Sequence, residues 1–381
     1  MVIGSKKYFK KAARSVNANV KILLYAKSAG RCEMCNKLII KDKMTRKDIN
    51  LAEKAHIYAF SKGGSRFKKN LFDKNNIDNL MLICSSCHTK IDKKEQLKYY
   101  TAEYLIDLKK QHEKRIELVT SFRNNRRTMV LKMVANINGE IIKLSDLDIR
   151  DAIFSKKMFF EENPYEIDFT NTSGIYNKIY WDSKKQDINE MLINFYGDLN
   201  RNKVEHISVF AIGPIPLLMY LGSKLENKIK TKIFQRHRDG ESWIWKKGSP
   251  KAKYRFRTIR KGKNKSKVAL LISLSGSIKR SLLPDNVIKN YFIYELRLGQ
   301  NPNYNFLRTE KDLYNFEKKF TTIISKIKND HEKLKSIDIF PAIPAPVAVV
   351  CGKSLNKNSD PKLRLFNTSN NKKFKYTLTI N

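Results

Sequence analysis

No apolar run in this 381-residue chain approaches the roughly 20 residues needed to cross a bilayer. The best candidate, SVFAIGPIPLLMYLG (208–222), is shorter and is broken by two prolines. The opening MVIGSKKYFKKAARS is basic but lacks the apolar stretch of a secretory signal. The expectation is a soluble, cytoplasmic protein with no membrane partner. Acidic residues are scarce as well. Only 37 Asp and Glu stand against 76 Lys and Arg, a net charge of +39. Such an excess attracts polyanions and lets phosphate contacts release counterions, although an AT-rich genome would also enrich a chain in Lys, Ile and Asn. Charge by itself separates neither DNA from RNA nor binding from cutting. Cysteine is rare too, at 32, 35, 84, 87 and 351. Four of the five form two C-x-x-C pairs, which without a secretion signal read as zinc ligands before disulfides.

What is present argues for an ordered chain of two domains. The hydrophobic share is 41%, with three Trp, seventeen Tyr and twenty Phe, and the length exceeds one small core. We expect domains at 1–125 and 126–381, joined through the polar, basic segment SFRNNRRT (121–128). Residues 1–125 hold 28 Lys and Arg against 12 Asp and Glu, about +16. Residues 7–30 read as a helical lead-in, with Tyr8, Ala12, Val16 and Val20 at helical spacing, and Thr101 marks a fresh helix start after the second cysteine pair. MVLKMVANINGEIIKL, from Met129, reads as a hairpin about its Asn-Gly turn.

Two later segments match without gaps, HISVFAIGPIPLLMYLGSKL and SIDIFPAIPAPVAVVCGKSL. They share Ile207/Ile337, Phe210/Phe340, Pro214/Pro344, Pro216/Pro346, Gly222/Gly352 and Leu225/Leu355, and a further strand follows each. Each copy reads as an apolar strand, a loop with two prolines and a buried helix, so the second domain is predicted as α/β with two Rossmann-like halves. Helix N-termini at the carboxyl edge of such a sheet bind phosphates and nucleotides, which makes Pro214 and Pro344 markers of a ligand site. QRHRDGESWIWK is the most ligand-like stretch. Arg236 and Arg238 would clamp phosphates, Gln235 would read a base edge, and Trp243 or Trp245 would stack on a base or lie in the core. His237 and Cys351 read as structural.

Cys32, Cys35, Cys84 and Cys87 suit a tetrahedral structural zinc. Around them lie EKAHIYAFSKGG and NNIDNLMLICSSCH, with His56, Asn79 and His88. Here the chain, over residues 30–95, resembles the HNH endonuclease family, with its A-H-I strand end, N-L-x-L-C strand and C-x-x-C-H helix start. The resemblance implies an α+β, ββα-metal nuclease with a catalytic Mg²⁺ or Mn²⁺ and double-stranded DNA as substrate. His56 would be the general base and His88 a cation ligand, while Asn79 would fix the loop and orient His56. The position before the base, where many such sites carry an Asp or His, is Ala55, so the second cation ligand is Glu53, in the E-x-A-H-I variant, or Asp92. Lys62, Arg66, Lys68 and Lys69 would contact DNA phosphates, with Gly63-Gly64 letting the backbone approach closely.

Residues from about 130 to 381 resemble the SAVED domain through EIDF (166–169), VFAIGPIPLLMYLG (209–222), IFQRHRDGESWIWK (233–246) and FPAIPAPVAVVCG (340–352). The resemblance implies CARF-like halves, a cyclic di- or trinucleotide messenger and ligand-driven homo-oligomerisation. With HNH ahead of it, it implies an effector endonuclease of bacterial cyclic-oligonucleotide-based anti-phage signalling (CBASS). The competing reading is a zinc-containing DNA-binding regulator that senses a nucleotide and does not cut.

Overall fold

The apolar run LMLI ahead of the second cysteine pair is buried on both sides and forms strand β2 (Leu80–Cys84), antiparallel to β1 (Ala52–His56). In this computed structural model, residues 15–69, 73–121, 127–137, 144–160, 163–172, 176–240, 242–331, 334–368 and 372–381 are described. The chain divides into two compact units, Met1–Phe122 and Arg123–Asn381.

The first unit begins with α1 (Ala18–Ser28), capped by the Asn17 side chain; Tyr8 and Ala12 of the expected lead-in lie outside the described residues. After β1 and β2 come α2 (Ser85–Asp92) and α3 (Ala102–Thr120). Thr101 starts α3 as expected, its hydroxyl accepting from Tyr104 N at 3.2 Å and so satisfying one orphan amide of the first turn. The register sets Glu53 opposite Ile83 and His56 opposite Leu80, which gives a ββα element closed by α2. Its core is small: Ala55, Ile57, Met81, Ile83, Ile91 and Leu105 pack around Cys32, Cys84 and Cys87.

The second unit holds two sheets. The first contains β3 (Met129–Ala135), β4 (Tyr165–Phe169), β5 (His206–Ile212) and β6 (Lys230–Ile233), all parallel in the order β4-β3-β5-β6. Between them run α4 (Asp146–Ser155), α5 (Lys178–Arg201) and α6 (Ile215–Lys224). The second sheet contains β7 (Tyr254–Arg260), β8 (Val268–Ser273), β9 (Phe292–Leu298), β10 (Ser336–Ala342), β11 (Lys362–Asn367) and β12 (Lys375–Ile380), ordered β12-β11-β10-β8-β9-β7. Its helices are α7 (Asp285–Asn290), α8 (Glu310–Asp330) and α9 (Ala345–Lys353).

The repeat seen in sequence is therefore the last third of a larger one. Strand orders β4-β3-β5-β6 and β9-β8-β10-β11 are the same path traced twice, parallel throughout, with antiparallel β7 and β12 added at the edges of the second sheet. The hairpin expected from Met129 is corrected here. β3 has β4 and β5 as parallel neighbours on its two sides, so no antiparallel partner remains, and Asn138-Gly139 lies outside the described residues. β3 is buried at all seven positions, the mark of an inner parallel strand rather than half of a two-faced hairpin.

The matched glycines hold the two copies together. A Cβ on Gly222 would sit 2.0 Å from Val349 O, and one on Gly352 would sit 1.9 Å from Met219 O. Residues 219 and 349 are equivalent in the repeat, as are 222 and 352, so α6 and α9 cross through a self-complementary contact that only glycine permits. α8 lays Leu313, Phe316, Phe320, Ile323, Ile324 and Ile327 into the same core. Each such side chain contributes roughly 1.5–3 kcal/mol on burial.

Candidate functional site

In the first unit the two C-x-x-C pairs meet. The sulfurs of Cys32, Cys35, Cys84 and Cys87 all lie within 4.8 Å of one another, and Cys35 Sγ is 3.8 Å from Cys84 Sγ. A tetrahedral zinc with Zn–S near 2.3 Å needs sulfurs about 3.8 Å apart, so the set fits that ion. Burial first, and then its cysteine neighbours, push the Cys87 thiol well up. Glu33 braces the first pair against β2: its amide donates to Leu82 O at 2.9 Å and its carboxylate accepts from Leu82 N at 3.2 Å.

His88 opens outward from α2, between two carboxylates. Its Nδ1 meets Glu53 across the sheet, and its Nε2 lies 3.3 Å from Asp92 one turn along the helix. Asp92, then Glu53, favour the imidazolium and push the His88 pKa up to about 9 against the opposing effect of burial. Both carboxylates weighed as the second ligand thus flank the same imidazole. Because the two carboxylates face opposite ring nitrogens, a cation could take His88 with Glu53 or with Asp92 once the ring proton is displaced, but not one nitrogen with both.

His56 ends β1, and its Nε2 lies 3.0 Å from Asn75 Oδ1, with Phe60 edge-on at 5.7 Å. Asn75 was not foreseen; only its position in the polar run DKNN ahead of the N-L-x-L-C strand hinted at it. Asn79 is buried and spends its side chain on the loop. It donates to Tyr58 O (3.1 Å) and Lys74 O (2.8 Å) and accepts from Tyr58 N (2.8 Å). The amide thereby ties the end of β1 to the segment carrying Asn75. His56 is set by Asn75, and His88 by Glu53 and Asp92, so the two rings are held by different neighbours.

Of the four cations expected to meet DNA, Lys62, Lys68 and Lys69 are exposed, with Lys68 Nζ 5.1 Å from the centre of the Tyr58 ring. Arg66 is a correction. Its guanidinium is turned inward and donates to Ile57 O (2.9 Å), Ile91 O (2.6 Å), Tyr100 O (3.3 Å) and Asp92 (2.9 Å), leaving little for a phosphate. Gly63 takes a left-handed φ of +93°, and a Cβ on Gly64 would meet Ala59 Cβ at 2.6 Å, so both glycines serve the turn itself.

In the second unit a cleft of about 610 Å³ lies at the carboxyl ends of the parallel strands, lined by Ile212 at the end of β5 and Gly213 after it, and by Ile343 and Pro344 after β10. Gln235, Arg236 and Arg238 line it, joined by Tyr304 and Arg308. Arg238 stacks 4.6 Å over the Tyr304 ring, while Asp239 lies 3.5 Å from Arg308. Three arginines against one aspartate give the cleft a net positive lining. Pro214 sits between the lining residues Gly213 and Ile215, at the start of α6. Pro214 and Pro216 carry no N–H, and Leu217 N bonds Pro214 O at 3.0 Å.

The tryptophans are corrected. Trp243 and Trp245 are 1% and 5% exposed and lie behind the cleft wall, Trp243 edge-on to Phe210 and Trp245 edge-on to His237. Neither has a face for a base. Burial, then Lys246, lowers the His237 pKa, in keeping with a structural, neutral ring. Tyr304 and Arg308 were missed. Their one signal was position: they fall between β9 and the capping box of Thr309 and Asp312 that starts α8, where an α/β sheet presents ligand residues. Cys351 is fully buried in α9, as expected. No helix among the described residues is long and apolar enough to cross a membrane.

Comparison with known proteins places these observations. The family model described as "SMODS-associated and fused to various effectors sensor domain" (SAVED) matches residues 189–380. Among solved structures, the chain is similar to an Acinetobacter baumannii Cap4 SAVED/CARF-domain containing receptor with the cyclic trinucleotide 2'3'3'-cAAA. The TM-score is 0.42 at 12% identity, covering 75% of this chain and 56% of that one. The same receptor with 3'3'3'-cAAA gives 0.41 at 11%, with the same coverage. A Moraxella osloensis Cap4 SAVED/CARF-domain containing receptor gives 0.38 at 12%, covering 81% of this chain and 66% of that one. The chain thus spans less than two thirds of the length of these solved chains. No curated protein sequence matches it.

Proposed function

We propose, for a chain that belongs to the SAVED family, that its second unit receives a cyclic di- or trinucleotide and its first unit is the effector. That effector is read as an HNH-type endonuclease, dependent on a divalent cation, that degrades double-stranded DNA in anti-phage signalling of the CBASS kind. The observation that carries the reading is the arginine-lined cleft at the junction of the duplicated halves, where Gln235, Arg236, Arg238 and Arg308 converge. Its volume lies within the range of about 300–1,000 Å³ usual for small-ligand sites. Arginines match phosphates bidentately, and Tyr304, 62% exposed with Arg238 over one face of its ring, would stack a base on the other.

The effector reading is supported by the ββα element around the four cysteines. With Nε2 donating to Asn75 Oδ1, His56 acting as base would carry its lone pair on Nδ1, the atom that would take the proton of the attacking water. Asn79 holds the loop that sets this ring, and Lys62, Lys68 and Lys69 would meet phosphates. A divalent cation at His88, with Glu53 or Asp92, would supply Lewis-acid stabilisation of charge building on phosphate oxygens.

One observation favours the second reading, a zinc-containing DNA-binding regulator without cleavage: both ring nitrogens of His88 already face carboxylates. Plasmid DNA with Mg²⁺, with and without a panel of cyclic di- and trinucleotides, separates the two. Cleavage with one messenger, lost in His56→Ala while zinc content stays, supports the nuclease. Binding without cleavage under every messenger and metal supports the regulator. The messenger would act by altering a surface of the sensor unit so that protomers assemble. Light scattering in which mass stays constant while cleavage switches on would sink that step.

A further inference from the structure

Edge strand β7 and the loop after it carry the densest charge in the second unit. Residues 251–267, KAKYRFRTIRKGKNKSK, hold nine Lys and Arg and no acid in seventeen positions, against 76 in 381 for the whole chain. Edge protection alone does not require this, since one or two charges suffice to deter a neighbouring strand. The opposite edge of the same sheet, β12 (KYTLTI), manages with one lysine, and β4, an edge of the other sheet, carries two acids.

Geometry sorts the run. Tyr254 and Phe256 are half-buried against the sheet and α8, Tyr254 edge-on to Phe316 and Phe256 stacked on Tyr294. The alternating residues Lys253, Arg255 and Arg257 are exposed, so a row of cations stands about 6.7 Å apart along the strand, a spacing of the order of that between neighbouring phosphates on one nucleic-acid strand. Arg257 is paired with Glu295 at 2.6 Å, and Arg260 donates to Lys289 O. Lys253, Arg255, Lys261 and Lys263 are exposed and have no side-chain partner among the described residues. In addition, Arg255 lies directly opposite Arg297 in the β7–β9 register. Like charges directly opposed destabilise a strand pair, unless an anion lies over them.

We infer that this edge of the sensor unit is a phosphate-backbone surface for double-stranded DNA, independent of the messenger cleft and of the ββα element. The two aromatics of the strand point into the fold, so it lacks the stacking platforms that single-stranded binders interleave with their cations. It offers charge alone, which tracks a duplex backbone without reading sequence. The inference goes beyond the proposed function and does not require the first unit to cut.

The test uses the full chain carrying His56→Ala, without added Mg²⁺, and fluorescence anisotropy of a labelled duplex across a salt series. Lys253→Gln, Arg255→Gln, Lys261→Gln and Lys263→Gln together should weaken duplex binding about tenfold or more. The slope of log K against log salt should become shallower by about 0.9 for each phosphate no longer neutralised. A control removes four exposed lysines of α8 instead, Lys311, Lys318, Lys326 and Lys328, for the same net charge. It should bind duplex nearly as the parent does. Unchanged duplex affinity in the β7 variant overturns the inference if an unshifted melting temperature shows it folded. An equal loss in the α8 control, or a greater loss for a single strand of the same sequence, also overturns it. Failure here leaves messenger-dependent cleavage by the protein with His56 intact as a separate question.

Discussion

Among the described residues, twelve buried side chains make up the main core of the first unit, and three of them are cysteines. The second unit's main core runs through both sheets and the helices between them, from Met129 to Ile380, beside a smaller cluster that includes Phe340, Phe366 and Phe374. The first unit therefore depends on a clustered set of sulfurs that a metal can close, whereas the second depends on area and on the fit of α6 against α9. The difference teaches where each unit is fragile, and four experiments press on it.

The largest effect should come from metal removal. Structural zinc in small modules is worth roughly 10 kcal/mol or more, so a strong chelator, or Cys84→Ser, should abolish the first unit's unfolding transition in calorimetry and leave the second in place. Loss of both transitions, or of neither, would break the comparison. Next come packing changes confined to the second unit. Gly222→Ala places a Cβ 2.0 Å from a backbone oxygen that cannot swing away, and should cost about 3 kcal/mol or more. Trp243→Ala should cost a similar 3–5 kcal/mol, because the ring fills core. In both, the melting temperature of the second transition should drop while the first holds.

A smaller effect is set by pH. Burial, then Lys232, depresses the His206 pKa to about 4, and Thr128 Oγ1 meets its Nδ1 at 2.8 Å. A histidine held neutral in the fold stabilises it fully above its unfolded pKa near 6.5. That contribution, up to about 3 kcal/mol, is lost as pH falls from 6.5 and is gone by about 4. His206→Gln should flatten this stretch of the second unit's stability curve in denaturant titrations between pH 4 and 7.

Much of this is legible in the sequence. The cysteine frame, the Thr101 helix start, the proline-bearing repeat and the Gln235–Arg238 stretch all follow from spacing and residue type, since each needs only short-range pattern. β3 was misread because Asn138-Gly139 is a strong local turn signal. The better guide was MVLKMVA itself, too uniformly apolar for a two-faced strand. Arg66 looked like the lysines around it, and nothing local shows that four acceptors from distant segments would converge on it. The tryptophans failed for the opposite reason: a ring that can stack on a base can equally fill a core, and Phe210 and His237 were the nearer partners. The full duplication escaped notice because β3/β8 and β4/β9 repeat a path through the sheet without repeating residues.

The proposed control of the first unit's chemistry by an anion in the second unit's cleft is tested most directly by cleavage measured against messenger concentration. Parent and Arg238→Ala would be compared with whichever cyclic oligonucleotide activates. Removing one charged phosphate partner at a cost of about 1.5–3 kcal/mol should shift the midpoint to tenfold or more higher messenger and leave the plateau rate unchanged. An unshifted midpoint, or cleavage that needs no messenger in either protein, would contradict the account.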